Sequence, residues 1–270
     1  MAKPLLDDDL WILIEPILPK PKRRRRRYPG RKPISNRQVL SGILFVLKTG
    51  IGWEYLPLEM GCGSGMTCWR RLRDWQRRGI WTKLHRLLLD KLREADKIDW
   101  SRAVVDSMSV RAVFGGPQTG PNPTDRRKNG SKHHLLTDGN GIPMAVTLTG
   151  ANRHDVTQLL PLVDAVPPVA GKPGRPRRRF DCTQGDRAYD SNPHRRELRR
   201  RKTRPVLARR FTPHGSGLGV YRWVVERTES WLHQNRRLKI RYERRADIHL
   251  AFLKLGCALI CHNCLKSSFC

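Results

Sequence analysis

Acidic residues are scarce in this 270-residue chain, which carries 24 Asp and Glu against 54 Lys and Arg. The resulting formal charge of +30 and isoelectric point near 11.0 lie far outside the range of an ordinary neutral enzyme. Lys and Arg in such excess neutralise phosphates and release counterions, which makes binding to a polyanion strong and salt-dependent. The composition therefore predicts a nucleic acid partner, with an anionic membrane surface as the other possibility.

The chain also lacks the patterns that mark membrane proteins and zinc proteins. We find no apolar stretch of the roughly 18–20 residues that a spanning helix needs, so we expect no membrane partner. The N-terminal sequence MAKPLLDDDLW does not have the basic-then-apolar layout of a signal peptide. Seven cysteines are present, but no second Cys/His pair stands at zinc-site spacing, which favours buried thiols over a metal centre.

Residues 1–98 are predicted to form a small, basic, all-α domain that binds DNA. Apolar spacing and capping residues predict helices at 5–18, 35–48, 67–78 and 81–95. Between the first two lies an arm, residues 20–33, whose prolines and five consecutive arginines rule out a packed element. The helix at 67–78 has a strongly basic face. It is either the recognition element of a helix-turn-helix-like unit or a merely solvated face.

From residue 99 onwards the pattern changes to that of an α/β domain with a mixed sheet. Strands are predicted at 102–106, in a hairpin over 133–149 whose turn is Asp138–Gly141, in a segment ending at Asp186, and at 204–208. Helices are predicted at 155–166, 191–202, from Tyr221 onwards and over 248–264. Sites in α/β sheets form beyond the carboxyl ends of strands, and both Asp106 and Asp186 are predicted at such ends.

Asp106, Asp186 and Glu226 are the candidate catalytic residues. Two carboxylates at strand ends and a third on a later helix can converge on a pair of divalent cations, which stabilises in-line phosphoryl displacement. Each acid also has a structural interpretation. Asp106 could cap a turn, Asp186 competes with Asp181 and Asp190, and Glu226 competes with Glu229 as an ordinary helix-face partner for arginine.

Several motifs, taken in order, carry a family resemblance. They are Val104-Val-Asp-Ser, Gly139-Asn-Gly-Ile-Pro-Met, Gly150-Ala-Asn-Arg-His-Asp, Gly185-Asp-Arg-Ala-Tyr-Asp and Trp223-Val-Val-Glu-Arg-Thr. With these motifs in this order, the chain resembles the IS5 branch of the IS4-type bacterial insertion-sequence transposases over almost its whole length. The resemblance implies an RNase H-like catalytic domain over residues 99–270 and a DDE site. It assigns Asp106, Asp186 and Glu226 as ligands of two Mg²⁺ or Mn²⁺ ions.

The chain departs from the wider superfamily around the catalytic Glu. An Arg four residues before it is present as Arg222, but the Lys expected seven residues after it is His233, and the Tyr seven before it is Gly219. Arg236 and Arg237 could supply the missing cation. The expected contacts to DNA are Arg23, Arg24, Arg25, Arg26, Arg27, Arg70, Arg71, Arg222, His233, Arg236 and Arg237.

The resemblance implies a transposase that binds the terminal inverted repeats of its element and catalyses strand cleavage and strand transfer. Its partner would be double-stranded DNA, held by a homodimer in the synaptic complex, in the bacterial cytoplasm at the nucleoid. Two alternatives stay open. One is a catalytically inactive, DNA-binding remnant, which the His233 departure favours, and the other is a structure-specific nuclease on the same fold.

Overall fold

The computed structural model describes residues 4–20, 26–30, 32–211 and 219–266. Part of the predicted arginine arm, Arg23–Arg25, therefore lies outside the described residues. Arg26 and Arg27 are described and are exposed to solvent.

The N-terminal part is helical, as predicted. Its helices are α1 (Asp8–Ile14), α2 (Asn36–Thr49), α3 (Gly65–Arg77) and α4 (Ile80–Glu94). Serine side chains start two of them, since the Ser35 hydroxyl accepts from the Gln38 N–H and the Ser64 hydroxyl accepts from the Thr67 N–H. Gly50 ends α2 in the left-handed conformation, with φ of 76°. The local capping signals thus explain where these helices begin and end.

The connections between these helices differ from those of a helix-turn-helix. Residues 50–64, which include two short 3₁₀ turns, join α2 to α3, whereas a helix-turn-helix uses a turn of about 3–4 residues. A much shorter link, Arg78–Gly79, joins α3 to α4. The basic face of α3 remains exposed at Arg70 and Arg77. Insertion of α3 into a DNA groove stays a prediction.

The strands form a mixed sheet, which confirms the predicted α/β class. They are β1 (Arg102–Ala112), β2 (Gly120–Pro121), β3 (Asn129–Thr137), β4 (Pro143–Gly150), β5 (Cys182–Gly185), β6 (Arg204–Leu207) and β7 (Ile240–Arg241). Strand β3 lies antiparallel between β1 and β4, while β5 and β6 continue the sheet from β1 in parallel. The order β4–β3–β1–β5–β6 is that of the RNase H-like fold.

Helices cover both faces of this sheet. They are α5 (Leu159–Ala165), α6 (Asn192–Arg200), α7 (Gly219–His233), α8 (Arg236–Lys239) and α9 (Ala246–Lys266). Helix α5 packs on β3 and β4 from one side, and α7 crosses β1 and β3 on the other. Helix α9 packs beside α7 and also contacts α3 and α4, so one hydrophobic core continues from the N-terminal helices to the sheet. The two predicted domains therefore share a core.

Helix α9 is more apolar than the sequence interpretation allowed. It has 21 residues and a mean hydropathy of 1.5 over its most apolar window, so by length and composition it could cross a membrane. However, 72% of that window is buried inside the protein. Its apolar surface thus faces α4, α3 and the sheet, as expected for a central core helix.

Buried histidines lie where these layers meet. The Nε2 atom of His85 on α4 lies 2.6 Å from the Pro143 carbonyl oxygen, and Nε2 of His133 on β3 lies 2.8 Å from Nε2 of His249 on α9. Burial lowers the pKa of His85 to about 4, and it also lowers the pKa of His133 and His249. The folded protein therefore keeps these rings neutral at a pH where the unfolded chain binds protons.

This difference in histidine pKa between the folded and unfolded states predicts that the protein loses stability in mild acid. Because the folded pKa of His85 lies below its unfolded value of 6.5, the unfolded state takes up the proton first as the pH falls from about 6.5 towards 4. Between about pH 7.5 and pH 5 this residue alone should cost about 2 kcal/mol of unfolding free energy. Urea denaturation at the two pH values measures the loss. The variant His85→Gln should flatten the pH dependence, and equal slopes in both proteins would contradict the assignment.

Candidate active site

Asp106 lies within a strand rather than at its end. The sequence predicts a strand ending at Asp106, but β1 continues to Ala112, because residues 107–111 pair with β3 and residues 111–112 pair with β7. Strands β1 and β5 are parallel, with Val104 opposite Gln184. Two residues further on, Asp106 is level with Asp186, the first residue beyond β5. The longer strand therefore still brings the two carboxylates side by side.

Backbone N–H groups orient both aspartates. Oδ1 of Asp106, which is buried, accepts a hydrogen bond from the Ser107 N–H at 2.8 Å. Oδ1 of Asp186 accepts from the Ala188 N–H at 2.9 Å and caps the 3₁₀ turn that follows β5. Each carboxylate thus keeps its second oxygen, Oδ2, on the side that faces α7.

The turn between β3 and β4 fixes the position of α7 and hence of Glu226. Oδ1 of the buried Asp138 closes the turn by accepting from the Ile142 N–H at 2.7 Å. The turn then presents the carbonyl of Gly141, which accepts from the Thr228 hydroxyl on α7 at 2.7 Å. Gly141 has φ of 89°, and a Cβ there would stand 2.9 Å from the Thr228 Oγ1 atom, so glycine is required. The hairpin turn that the sequence predicts therefore also serves as the docking point of the helix.

The guanidinium of Arg222 lies between the three predicted catalytic carboxylates. Its Nε atom is 3.5 Å from Oδ2 of Asp106 and 3.2 Å from Oε1 of Glu226. Its Nη1 atom is 3.7 Å from Oδ2 of Asp186. The structure thus brings together four residues that are separated by up to 120 positions in the chain, from Asp106 to Glu226.

These charges perturb one another. Burial raises the pKa of Asp106 to about 6; the Ser107 N–H and Arg222 oppose this rise, while Asp186 and Glu226 add to it. Burial disfavours the charge of Arg222, but the three carboxylates outweigh that effect and raise the pKa of its guanidinium. A nearby cation therefore stabilises the three ionised acids, and the acids in turn stabilise the positive charge of Arg222.

Glu229 is a further acid beneath this cluster. The sequence leaves Glu226 and Glu229 as competitors, and the structure pairs Glu226 with Arg222 while it turns Glu229 inwards. Burial raises the pKa of Glu229 to about 8, with Asp106 and Glu226 adding to the rise. Its Oε1 atom meets no hydrogen-bond partner within the described residues. Sequence spacing, one turn after Glu226, is the only signal that points to it.

Comparisons with known proteins identify the family of this chain. Residues 6–85 match the family described as "Putative transposase of IS4/5 family", and residues 101–263 match the family described as "Transposase DDE domain". The second match alone spans more than half of the chain. The chain belongs to the DDE transposase family.

Two insertion-sequence proteins are similar to this chain. The transposase is 62% identical over 165 residues to the "Putative transposase for insertion sequence element IS402" of Burkholderia cepacia, which covers 61% of this chain and 76% of that protein. It is 67% identical over 123 residues to the "Insertion element IS402 uncharacterized 16.2 kDa protein" of the same organism, covering 46% and 84%. Membership of the family makes DNA the partner and implies a dependence on divalent metal ions.

Two solved structures of Mos1 are also similar to the transposase. They are the Mos1 Strand Transfer Complex, at 12% identity over 88% of this chain and 80% of that one with a TM-score of 0.26, and a pre-cleavage Mos1 transpososome, at 12% identity over 89% and 82% with a TM-score of 0.29. The strand order of the sheet defines the fold of the transposase.

The arginines predicted to contact DNA divide into exposed and internally bound side chains. Arg26, Arg27, Arg70 and Arg236 are exposed. The side chain of Arg222 is 46% exposed, but its guanidinium is paired with the three carboxylates. In contrast, the Arg71 guanidinium donates to the side-chain oxygen of Asn36. The exposed group keeps its positive charge available to a phosphate backbone.

His233 and Arg237 are placed where DNA contacts are not favoured. His233 is half-buried, its Nε2 atom is enclosed, and burial lowers the pKa of the ring, which is therefore mostly neutral at pH 7. Arg237 is only 5% exposed. Its guanidinium donates to Glu243 at 2.8 Å and to the carbonyls of Gly50 and Ile51 at 3.0 and 2.8 Å. Arg237 thus ties α8 to the loop after α2.

Glu243 is the centre of a buried polar network that the sequence does not reveal. It lies 3.5 Å from the Nδ1 atom of His249, whose Nε2 atom contacts His133 on the sheet. Although burial opposes its charge, His249 and Arg237 hold the pKa of Glu243 below its ordinary value. The network joins α8, α9, the loop after α2 and β3 within the transposase. In sequence, Arg241-Tyr-Glu-Arg looks like an exposed charged segment.

Removal of the negative partner should destabilise the transposase strongly. In Glu243→Gln, Arg237 remains buried and charged but loses its ion pair, which should lower the unfolding free energy by about 3 kcal/mol or more. Urea denaturation measures this loss. The neighbouring exposed arginine provides the control, because Arg236→Gln should change stability by less than about 0.5 kcal/mol. Equal stabilities of the two variants would contradict the structural role of the pair.

Proposed function

We propose that this chain is the transposase of an insertion sequence, which binds the terminal inverted repeats of its element and catalyses metal-dependent strand cleavage and strand transfer. Asp106, Asp186 and Glu226 are the proposed metal ligands. The observation that carries this proposal is the convergence of these three carboxylates, from β1, the end of β5 and α7, on one cationic group.

The donor set suits Mg²⁺ or Mn²⁺. Both are cations that prefer oxygen ligands, and the three side chains offer carboxylate oxygens in a setting that already attracts a positive charge. Burial and mutual repulsion raise the pKa of Asp106 to about 6, a cost that a bound cation would relieve. We propose two ions. Bound there, they would stabilise the attacking and leaving oxygens of an in-line displacement.

The protein's own contribution is to orient the reacting groups and to neutralise charge. The Ser107 and Ala188 N–H groups fix the two aspartates, and the turn at Gly141 fixes the helix that carries Glu226. Fixed groups of this kind lower a barrier because no reorganisation is needed during the reaction. Arg222 adds positive charge beside the three carboxylates.

DNA is gripped, in this proposal, mainly by the basic N-terminal part, residues 1–98. Arg70 and Arg77 of α3 and Arg26 and Arg27 of the arm are exposed and would provide the positive charge for this contact. Residues 99–270 provide the catalytic part. Because two transposon ends must be joined in one complex, we propose a homodimer at synapsis. The site of action is the bacterial cytoplasm, at the nucleoid.

Asp106→Asn should abolish strand cleavage and strand transfer while DNA binding persists. The change removes one negative charge from the proposed metal site and keeps the side chain's shape. The assay uses a duplex that carries the element's own end, with Mg²⁺, and resolves nicked and joined products. Asp181→Asn is the matched control, since Asp181 is exposed near the opposite end of β5 and pairs with Arg177.

The outcomes separate the proposal from its alternatives. Strand transfer by Asp106→Asn at the wild-type level would refute the assignment of the site. Cleavage without joining, even from a pre-nicked end, would indicate a structure-specific nuclease. Tight binding with no cleavage by the wild type would indicate an inactive remnant.

Arg70→Gln should reduce the salt dependence of DNA binding more than Arg71→Gln does. Each phosphate contact adds about 0.9 to the slope of log affinity against log salt concentration, and Arg70 is exposed, whereas Arg71 is bound to Asn36. Fluorescence anisotropy with a labelled duplex, over a series of salt concentrations with a chelator present, gives the slopes. Equal slopes in both variants would remove Arg70 from the DNA-binding surface.

A further inference from the structure

The guanidinium of Arg222 lies among the three carboxylates that are the proposed metal ligands. Within the described ranges it is the one cation at ion-pair distance from Asp106, Asp186 and Glu226, and it reaches all of them at 3.2–3.7 Å. The arginine reaches them from α7 itself, one turn before Glu226. It is therefore an internal counter-ion of the site.

A guanidinium holds the carboxylates further apart than a metal ion would. Mg²⁺ binds oxygen at about 2.0–2.1 Å, much closer than the guanidinium nitrogens approach here. In agreement, among the described residues no three His, Cys, Asp or Glu side chains are close enough to hold one ion between them. Binding of a metal therefore requires that Arg222 leave and that the carboxylates close in.

The guanidinium of Arg222 can turn away from the carboxylates towards solvent. Its side chain is 46% exposed, and its neighbours Tyr221 and Trp223 on α7 are exposed as well, so none of the described residues covers this side of the helix. A phosphate group on that side would offer the guanidinium an alternative set of oxygens. Arginine pairs with phosphate through two parallel N–H···O bonds, which makes this exchange favourable.

We propose that Arg222 couples metal binding to DNA binding. In the protein without DNA, its guanidinium neutralises the three carboxylates and competes with divalent cations for them. A DNA phosphate withdraws the guanidinium, and the freed carboxylates then bind the metal. This inference rests on the proposed function, because it takes the three carboxylates as the metal ligands. It makes Arg222 a positioning residue that admits the metal only when DNA is present.

The coupling must be reciprocal. If DNA raises the affinity for the metal, the metal raises the affinity for DNA by the same factor, which is typically about 5- to 150-fold for coupled sites. Without Arg222 the competition disappears. The DNA-free variant Arg222→Gln should therefore bind Mn²⁺ about tenfold more tightly than the wild type, and a duplex should no longer improve that affinity.

Mn²⁺ binding to the full chain tests this directly, without an activity assay. Electron paramagnetic resonance of free Mn²⁺ gives the dissociation constant with and without a duplex that lacks the element's end. The variants are Arg222→Gln, Arg222→Lys and Asp106→Asn. The control is Arg86→Gln, which removes one exposed charge from α4. Arg222→Lys keeps the competing charge and should behave more like the wild type, which separates the loss of charge from any damage to folding.

The result that overturns the inference differs from the one that overturns the proposed function. If Asp106→Asn weakens Mn²⁺ binding but DNA-free Arg222→Gln binds no more tightly than wild type, the metal site stands and the coupling is refuted. If Asp106→Asn does not weaken Mn²⁺ binding, the site itself is refuted. Equal tightening in Arg86→Gln would show a general effect of net charge and would also refute the coupling.

Discussion

Repulsion among the carboxylates of Asp106, Asp186 and Glu226 is the constraint on which the rest of the structure depends. Each acid is brought close to two others, and Asp106 is also removed from water, so both burial and like charge act against ionisation. Such a cluster is stable only if rigid elements hold the acids in place and a cation offsets their negative charge. The sheet provides the first condition and Arg222 the second.

The rigid elements meet this condition through backbone contacts that are far from the acids in sequence. Strand β1 continues past Asp106 and is held on both sides, by β3 and β5, so this carboxylate has little freedom to retreat. Helix α7 is held by the turn at Gly141 and by α9 behind it. Helix α9 in turn packs against the N-terminal helices. The geometry of the site therefore depends on a core that extends through the whole described chain.

Much of this fold could be predicted from the sequence, because its signals are local. The Ser35 cap marked the start of α2, and the Asp138–Gly141 turn marked the hairpin. Helix α3 begins at Gly65 behind a Ser64 cap, slightly before the predicted start at residue 67. The end of β1 was predicted wrongly at Asp106, since residues 107–112 mix polar and apolar side chains and owe their strand to pairing with β3 and, at its end, with β7. The helix predicted over 248–264 is present as α9, but the expectation that no apolar stretch reaches spanning length was wrong, since α9 has that length and composition.

Charged residues in the site were harder to predict, because sequence does not show which of them are buried. Arg236 and Arg237 are neighbours, yet one is exposed and the other is enclosed by Glu243, a contact that only the fold creates. Local rules are broken most often where a protein does chemistry. In a chain with so few acids, the gathering of three around one arginine is such a break. Because the three carboxylates repel one another, binding a cation between them relieves that repulsion. The same electrostatic repulsion that destabilises the fold therefore makes the site attract a cation.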